Sequence, residues 1–151
     1  MKKLTTRLSI IDLEPEAYKA MFGLENYIKS TDLDPVWREL IKIRASQVNG
    51  CAFCIEMHTK EARQAGETER RLYALSAWKE SPLFTKEERV LLAMTEEITL
   101  LPDRGFTEET YRSALELFDE DSVAQIIMLI VTINAWNRIA VSTHMMHQVD
   151  E

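Results

Sequence analysis

The sequence predicts an all-α protein, and three observations lead to that class. Glycine and proline are rare, with four of each in 151 residues, which favours helices with short connections over a turn-rich sheet. Apolar residues recur at helical spacing, and no stretch keeps the two-residue period of a strand. Residues typical of helix ends stand where these stretches begin and stop. The length suits a single domain over 1–151 with its own hydrophobic core.

The first half of the chain is predicted to form three helices. The first spans about 15–29, and Pro15 suits its first turn because that position needs no N–H donor. The second begins just after Pro35 and stops at Asn49 and Gly50, the residue types most tolerant of a left-handed helix end. The third carries both cysteines and ends at Gly66.

Two further helices are predicted in the middle of the chain. Thr68 precedes a helix over 69–79. Thr85 and Glu88 match a capping box, in which the two side chains each bond the backbone N–H of the other residue. The helix that this box opens should run to about Leu101, just before a proline.

The last two predicted helices differ in length. Thr107 caps a short helix that ends near Phe118. Ser122 and Gln125 form another possible capping box, which opens a long apolar helix to about Thr143. This helix is apolar around more of its circumference than one core of this size would use, which favours a homo-oligomer.

Charge and hydropathy exclude several classes of function. A net charge of −7 and a pI near 5.1 give no electrostatic basis for binding nucleic acid or an anionic membrane. Arg7 and Asp12 interrupt the N-terminal apolar residues, so no signal peptide is expected. The most apolar stretch, 123–141, contains polar side chains such as Asn137 and Arg138, which predicts a buried helix and no membrane span. We therefore expect a cytoplasmic protein.

The most informative motif is a C-x-x-C pair followed by a histidine. Cys51 and Cys54 are the two cysteines of the chain, and His58 comes one helical turn after Cys54. If this stretch is helical, the three side chains share one face. A C-x-x-C pair can close a local disulfide, and in a cytoplasmic protein it is more often catalytic or metal-binding than structural. A histidine at this spacing can take the Cys54 proton, so the motif predicts a redox site.

Glu39 is predicted to complete this site. If the second and third helices fold back on each other at Gly50, His58 lies eight residues after the turn and Glu39 eleven before it. At a rise of ~1.5 Å per residue, the mismatch is about 4–5 Å, which the two side chains can span. A carboxylate, an imidazole and a thiol in this order activate Cys54 near neutral pH. Cys51, near the helix start, would close the disulfide.

The pattern Glu39…Cys51-x-x-Cys54-x-x-x-His58, in the segment RELIKIRASQVNGCAFCIEMHTKEARQAGE, resembles the AhpD-like alkylhydroperoxidase branch of the carboxymuconolactone decarboxylase family. The segments KEERVLLAMTEEITLL and NAWNRIAVSTH are similar to that family too, so the resemblance covers most of the chain. It implies an all-α AhpD-like helical bundle that assembles as homotrimers or homohexamers.

The resemblance also implies an activity, the thiol-dependent reduction of hydroperoxides. Cys54 would attack the peroxide and become a sulfenic acid, Cys51 would resolve it to a disulfide, and Glu39 and His58 match the proton relay of the family. The implied partner is a dihydrolipoyl protein, a thioredoxin-like protein, a small thiol or a peroxiredoxin. No cofactor and no bound metal are expected. Phe53 stands where family members often carry His or Tyr, so we expect a shorter relay and slower turnover.

Other interpretations of the motif stay open. Cys51 and Cys54 could be two small buried hydrophobic residues. Together with His58, and with Glu39 or His144 as a fourth ligand, they could bind zinc. The family also includes a decarboxylase branch, whose chemistry has no evident use for a dithiol. A non-catalytic oligomer, acting as a redox sensor or scaffold, is a further alternative.

Two other polar groups are interpreted as structural. His144 and His147 are placed outside the site, as end-of-helix residues that the helix dipole favours. Trp136, Asn137 and Arg138 interrupt an apolar helix. They are expected to form a polar patch at a subunit contact or a buried hydrogen-bond network.

Overall fold

The computed structural model describes residues 4–147, and within that range the chain is all-α, with no strand. The predicted fold class is therefore confirmed. A 3-10 helix spans Leu75–Glu80. The α-helices in chain order are α1 (Ile10–Leu13), α2 (Pro15–Ser30), α3 (Pro35–Asn49), α4 (Ala52–Gln64), α5 (Glu69–Ala74), α6 (Lys86–Thr99), α7 (Leu101–Arg104), α8 (Glu108–Leu115) and α9 (Glu120–Thr143).

Local capping signals account for several of the helix ends. The Thr85 hydroxyl accepts from the Glu88 backbone N–H at 3.2 Å, and the Glu88 carboxylate accepts from the Thr85 N–H at 2.8 Å. The predicted capping box of α6 is thus confirmed. The Asp34 side chain caps α3, and Gly50 ends it with a left-handed φ of 67°. Glycine adopts this φ without the steric cost that a side chain would bring.

The predicted capping box at Ser122 and Gln125 is wrong. α9 begins earlier, at Glu120, and Asp119 is its N-cap. The Asp119 carboxylate accepts from the Ser122 backbone N–H at 2.7 Å. Aspartate is as good an N-cap as serine, and at this position it also places a negative charge at the positive end of the helix dipole.

The predicted helices over 69–79 and from Thr85 to Leu101 are each divided in two. The first becomes α5 and the 3-10 helix, with Ala77 outside helical backbone angles. The second ends at Thr99, and Pro102 then lies in the first turn of the short α7, where its missing N–H leaves no backbone bond unmade. The helix predicted to end near Phe118 is also shorter, and α1 was not predicted.

The core forms where α3, α6 and α9 meet. α9 contributes fully buried side chains such as Ile126, Leu129 and Ile133, so the prediction of a buried helix over 123–141 is confirmed. In the described part of the chain, α9 alone is long and apolar enough to span a membrane by length and composition. Here it packs instead against α3 and α6. α4 folds back on α3 as a hairpin, and α2 lies against α9.

A buried polar network joins α9 to the end of α3. The Asn137 side-chain amide donates to Ser46 Oγ at 3.0 Å and accepts from Asn49 Nδ2 at 2.9 Å. Asn49 Nδ2 also donates to Asn134 Oδ1 at 3.0 Å. Of the two interpretations of the polar residues at 136–138, the buried hydrogen-bond network thus holds for Asn137. The network fixes α9 beside the turn that leads into the cysteines.

Candidate active site

The turn between α3 and α4 places the two cysteines. Cys51 follows Gly50 as the N-cap of α4, and its Sγ accepts from the Cys54 backbone N–H at 3.3 Å. The expectation that positions 51, 54 and 58 share one helical face therefore holds only for Cys54 and His58, since Cys51 lies outside the helix. The two cysteines form a disulfide, with their Cα atoms 5.3 Å apart. The predicted local disulfide is confirmed.

The disulfide is buried under the end of α9. Cys51 and Cys54 are each only 2% exposed. Ala140 of α9, Phe53 of α4 and Met145 pack against them. Met145 follows α9, and its backbone N–H donates to the Ala140 carbonyl at 2.9 Å, which folds this segment back over the sulfurs. Both cysteines are therefore largely shielded from solvent.

His58 lies one turn beyond Cys54 and contacts two carboxylates through the same ring nitrogen. Its Nδ1 is 3.1 Å from Glu39 Oε2 and 2.9 Å from Glu61 Oε2. Ionised carboxylates only accept hydrogen bonds, so the Nδ1 position carries the proton. The other ring nitrogen, Nε2, makes neither of these contacts. The hairpin register predicted from Gly50 does bring Glu39 to His58.

The two carboxylates determine how tightly His58 holds its proton. Burial is the largest single influence and lowers the His58 pKa, but the hydrogen bonds to Glu39 and Glu61 outweigh it, so the pKa is raised above the ordinary 6.5. The positive charge of Lys42 opposes this rise. The hydrogen bond between His58 and Glu61 also lowers the pKa of the Glu61 carboxyl group. The two carboxylates therefore favour the protonated, imidazolium form of His58.

A buried lysine extends the charged group to two more helices. Lys42 Nζ is 3.6 Å from Glu39 Oε1 and 3.7 Å from Glu25 Oε2. Trp136 Nε1 of α9 donates to Glu25 Oε1 at 3.0 Å. A continuous series of contacts thus runs from α9 through α2 and α3 to His58 on α4.

A cavity of about 430 Å³ opens on this group. Cys54 lines it, whereas Cys51 is not among the described residues that do. Part of its wall is aromatic: the rings of Tyr18, Phe22 and Trp136 pack edge-on or tilted, with centroids 5.1–5.7 Å apart. A cavity of this volume, with an apolar wall and a few convergent polar groups, is typical of a site for a small organic molecule.

Residues 15–97 match the carboxymuconolactone decarboxylase family. The chain belongs to this family. It is 43% identical over 139 residues to the uncharacterised protein YdfG of Bacillus subtilis (strain 168), an alignment that covers 92% of this chain and 95% of YdfG. The family match over residues 15–97 extends from α2 to most of α6, and so includes all the residues of the motif.

Solved structures extend the comparison to the fold of this family member. A protein of unknown function from Agrobacterium tumefaciens, proposed to be the antioxidant defence protein AhpD, is 39% identical with a TM-score of 0.94, over 97% of this chain and all of the other. The debrominase Bmp8 superposes with a TM-score of 0.80 at 18% identity, over 93% of this chain and 74% of its own, and shows the fold alone. The predicted AhpD-like bundle is confirmed.

Some donor atoms of the site could hold a metal ion. Glu39, His58 and Glu61 each offer one donor, all within 4.8 Å of one another. The Lys42 ammonium already contacts Glu39 and would repel a second cation, so the arrangement suits a shared proton better. The zinc interpretation required both sulfurs as thiolates, and these sulfurs are joined in the disulfide.

The two C-terminal histidines of this family member lie apart from the His58 group. His144 is the C-cap of α9, in a left-handed conformation with φ of 52°. His147 Nδ1 contacts Glu56 Oε2 at 2.7 Å. Neither histidine is among the described residues that line the cavity.

Sequence reasoning missed three charged residues of the site. Glu61 lies three residues after His58 and Lys42 three residues after Glu39, so helical spacing alone could have indicated both. Glu25 carried no such signal, because α2 reaches the site only through tertiary packing. The aromatic wall was missed for the same reason.

The raised pKa of His58 predicts how stability depends on pH. A group that binds its proton more tightly when folded stabilises the protein fully below its unfolded pKa of 6.5, and this stabilisation is lost as pH rises through the folded pKa. In urea unfolding of the disulfide form, the wild type should therefore lose free energy of unfolding relative to His58→Gln as pH rises above about 6.5. A difference between the two proteins that is constant or grows with pH would contradict this assignment.

Proposed function

We propose that this family member is a thiol-dependent peroxidase that reduces hydroperoxides through a dithiol–disulfide cycle of Cys51 and Cys54. The observation that carries the proposal is a C-x-x-C disulfide at the wall of a cavity, one helical turn from a histidine held by carboxylates. Family membership and the AhpD-like fold support an enzymatic role. Decarboxylation of a lactone would leave the dithiol without a use.

Cys54 is the sulfur that we assign to the attack on peroxide. It lines the cavity and lies in the first turn of α4, where free backbone N–H groups and the helix dipole favour a thiolate. His58, one turn away, gives this thiolate a cationic neighbour. Cys51, the N-cap of α4, is not among the described residues that line the cavity, and its Cα lies 5.3 Å from that of Cys54, close enough for the disulfide.

The first step breaks the O–O bond of the hydroperoxide. The Cys54 thiolate attacks the terminal oxygen, an S–O bond forms, and the alkoxide leaves with the electron pair of the broken bond. The alkoxide takes a proton to become the alcohol, and we assign the supply of this proton to the imidazolium of His58, which lines the same cavity as Cys54. Glu39 holds the ring through Nδ1 and stabilises its charge. Cys54 is left as a sulfenic acid.

The second and third steps return the site to its starting state. The Cys51 thiol attacks the sulfur of the sulfenic acid, the S–O bond breaks and water leaves, so that the dithiol has given two electrons to the peroxide. An external thiol then reduces the disulfide. We propose a dihydrolipoyl or thioredoxin-like protein, a small thiol or a peroxiredoxin system for this role, in the reducing cytoplasm.

Peroxide-consumption kinetics across a panel of reductants test this function. Reduced protein, an organic hydroperoxide and each thiol in turn should give turnover that saturates with at least one reductant and exceeds the rate of reductant alone. A heat-denatured sample controls for the reactivity of free thiols. No turnover with any reductant, while the dithiol remains accessible to alkylation, would contradict the proposal.

The protein is also proposed to form a homotrimer or homohexamer. α9 presents Val131 and Val141 at the surface, 44% and 43% exposed, although the helix also contributes buried core residues such as Ile126 and Ile133. The family resemblance motivates the proposal, and these two valines are candidates for the subunit contact. Light scattering at micromolar concentration should give a mass three or six times the 17.5 kDa of the chain. A mass near that of the single chain would contradict the proposal.

A further inference from the structure

Lys42 is a buried cation beside the reaction centre to which the cycle above gives no role. Its side chain is 8% exposed, and it lines the cavity together with Cys54 and His58. Lysines are almost never buried without a partner, because an ammonium removed from water is strongly destabilising. Its contacts, 3.6 Å to Glu39 and 3.7 Å to Glu25, are those of an ion shared between two carboxylates.

Both of these carboxylates are held from their other side. Glu25 Oε1 accepts from Trp136 Nε1 at 3.0 Å, which anchors it to α9. Glu39 faces Lys42 with Oε1 and His58 with Oε2. The ammonium and the imidazole therefore share a single carboxylate through its two oxygens. A stronger contact of Glu39 with one of these two cations therefore weakens its contact with the other.

We propose that Lys42 is a positioning residue, which holds Glu39 between its own ammonium and the imidazole and thereby sets the charge that His58 carries when the dithiol reacts. The inference rests on the proposed function, since it assigns Lys42 a task in that same site. Lys42 acts through Glu39 and does not take part in bond breaking. Glu25 has the opposite task, because it draws the ammonium away from Glu39.

The charged groups around His58 determine the sign of the effect. Without the Lys42 charge, Glu39 interacts with His58 alone, and the imidazolium should persist to higher pH. The direct effect of the Lys42 charge, which lowers the His58 pKa, has the same sign. Without the Glu25 charge, the Lys42 ammonium interacts with Glu39 alone. Glu39 then stabilises the His58 imidazolium less, and this imidazolium should lose its proton at lower pH. The charged groups that line the cavity are Glu39, Lys42 and Arg38 of α3, Glu61 of α4, and Glu25 and Lys29 of α2.

NMR titration of the histidine ring signals in the disulfide form tests the proposal without peroxide. The chain has three histidines, so His144 and His147 serve as internal references and His58→Gln assigns the third signal. The His58 midpoint should rise in Lys42→Met, fall in Glu25→Gln and stay near that of the wild type in Lys42→Arg, which keeps the charge. The pH–rate profile for hydroperoxide should move in the same directions.

Each outcome separates this proposal from the function on which it rests. An unchanged His58 midpoint in Lys42→Met, or shifts of the same sign in Lys42→Met and Glu25→Gln, would overturn it. If Lys42→Met does not fold, Glu25→Gln decides, because it keeps the shape of the side chain: a fall supports the proposal, and a rise or no change overturns it. Opposite shifts in Lys42→Met and Glu25→Gln, together with a wild type that consumes no hydroperoxide, would support the effect of Lys42 on His58 and reject the peroxidase function.

Discussion

Replacement of Cys54 by serine should reduce hydroperoxide consumption to the background rate of the reductant alone. A serine hydroxyl at this position has no thiolate to attack the O–O bond. Replacement of Cys51 by serine should instead allow one attack and stop there, since no second sulfur is present to resolve the sulfenic acid. Trapping with a dimedone-type reagent and mass spectrometry should find the adduct on Cys54 in Cys51→Ser, and no adduct in Cys54→Ser.

The two cysteine variants are matched controls for each other. They make the same chemical change three residues apart, and both remove the disulfide, so a loss of stability would affect both alike. Rates of alkylation over a pH series supply an independent measure of thiolate formation. Faster alkylation of Cys51 than of Cys54, or a sulfenic acid trapped on Cys51, would reverse the assignment.

Replacement of Glu39 by glutamine and of His58 by alanine should each slow the reaction, by about 10²–10⁴-fold for His58, the usual range for a general acid or base. Glu39 contacts Nδ1 of His58, so in this mechanism it acts on Cys54 only through the ring. The double variant should therefore be little slower than His58→Ala. Residues that act as one unit give strongly non-additive losses. The measurement is a double-mutant cycle read as hydroperoxide rate and Cys54 pKa.

Glu61 offers a matched control for the same cycle. Glu61→Gln makes the same chemical change at the other carboxylate that contacts His58 Nδ1. The Glu61 side chain is 48% exposed, compared with 13% for Glu39, so solvent screens its contact and the loss of rate should be smaller. Additive losses for Glu39→Gln and His58→Ala would mean two independent roles and would contradict the relay.

The parts of the site that lie within one helical hairpin could be predicted from the sequence. The turn at Gly50 fixes the register of α3 against α4, and that register alone brings Glu39 to His58. Where the prediction failed locally, a competing signal was present. Cys51 was expected inside the helix, but a residue just after a left-handed glycine is well placed to be an N-cap, and its sulfur accepts from the Cys54 N–H.

The parts of the site that depend on packing between distant segments could not be predicted. Glu25 reaches the site because α2 lies against α9, and the two are tied by its bond with Trp136, 111 residues later in the chain. Met145 covers the disulfide because the chain folds back after α9. No local spacing encodes either contact, since each arises from the burial of a whole helix face.

A single-turnover reaction in the absence of reductant tests most directly whether the dithiol of this protein reduces hydroperoxides. Protein is reduced, freed of reductant and mixed with one molar equivalent of an organic hydroperoxide. We predict that each chain consumes one equivalent, releases one equivalent of the alcohol, and loses two hydrogen atoms within the single peptide that contains Cys51 and Cys54. Two persistent free thiols, or oxidation to a sulfinic acid without a disulfide, would contradict a peroxidase function.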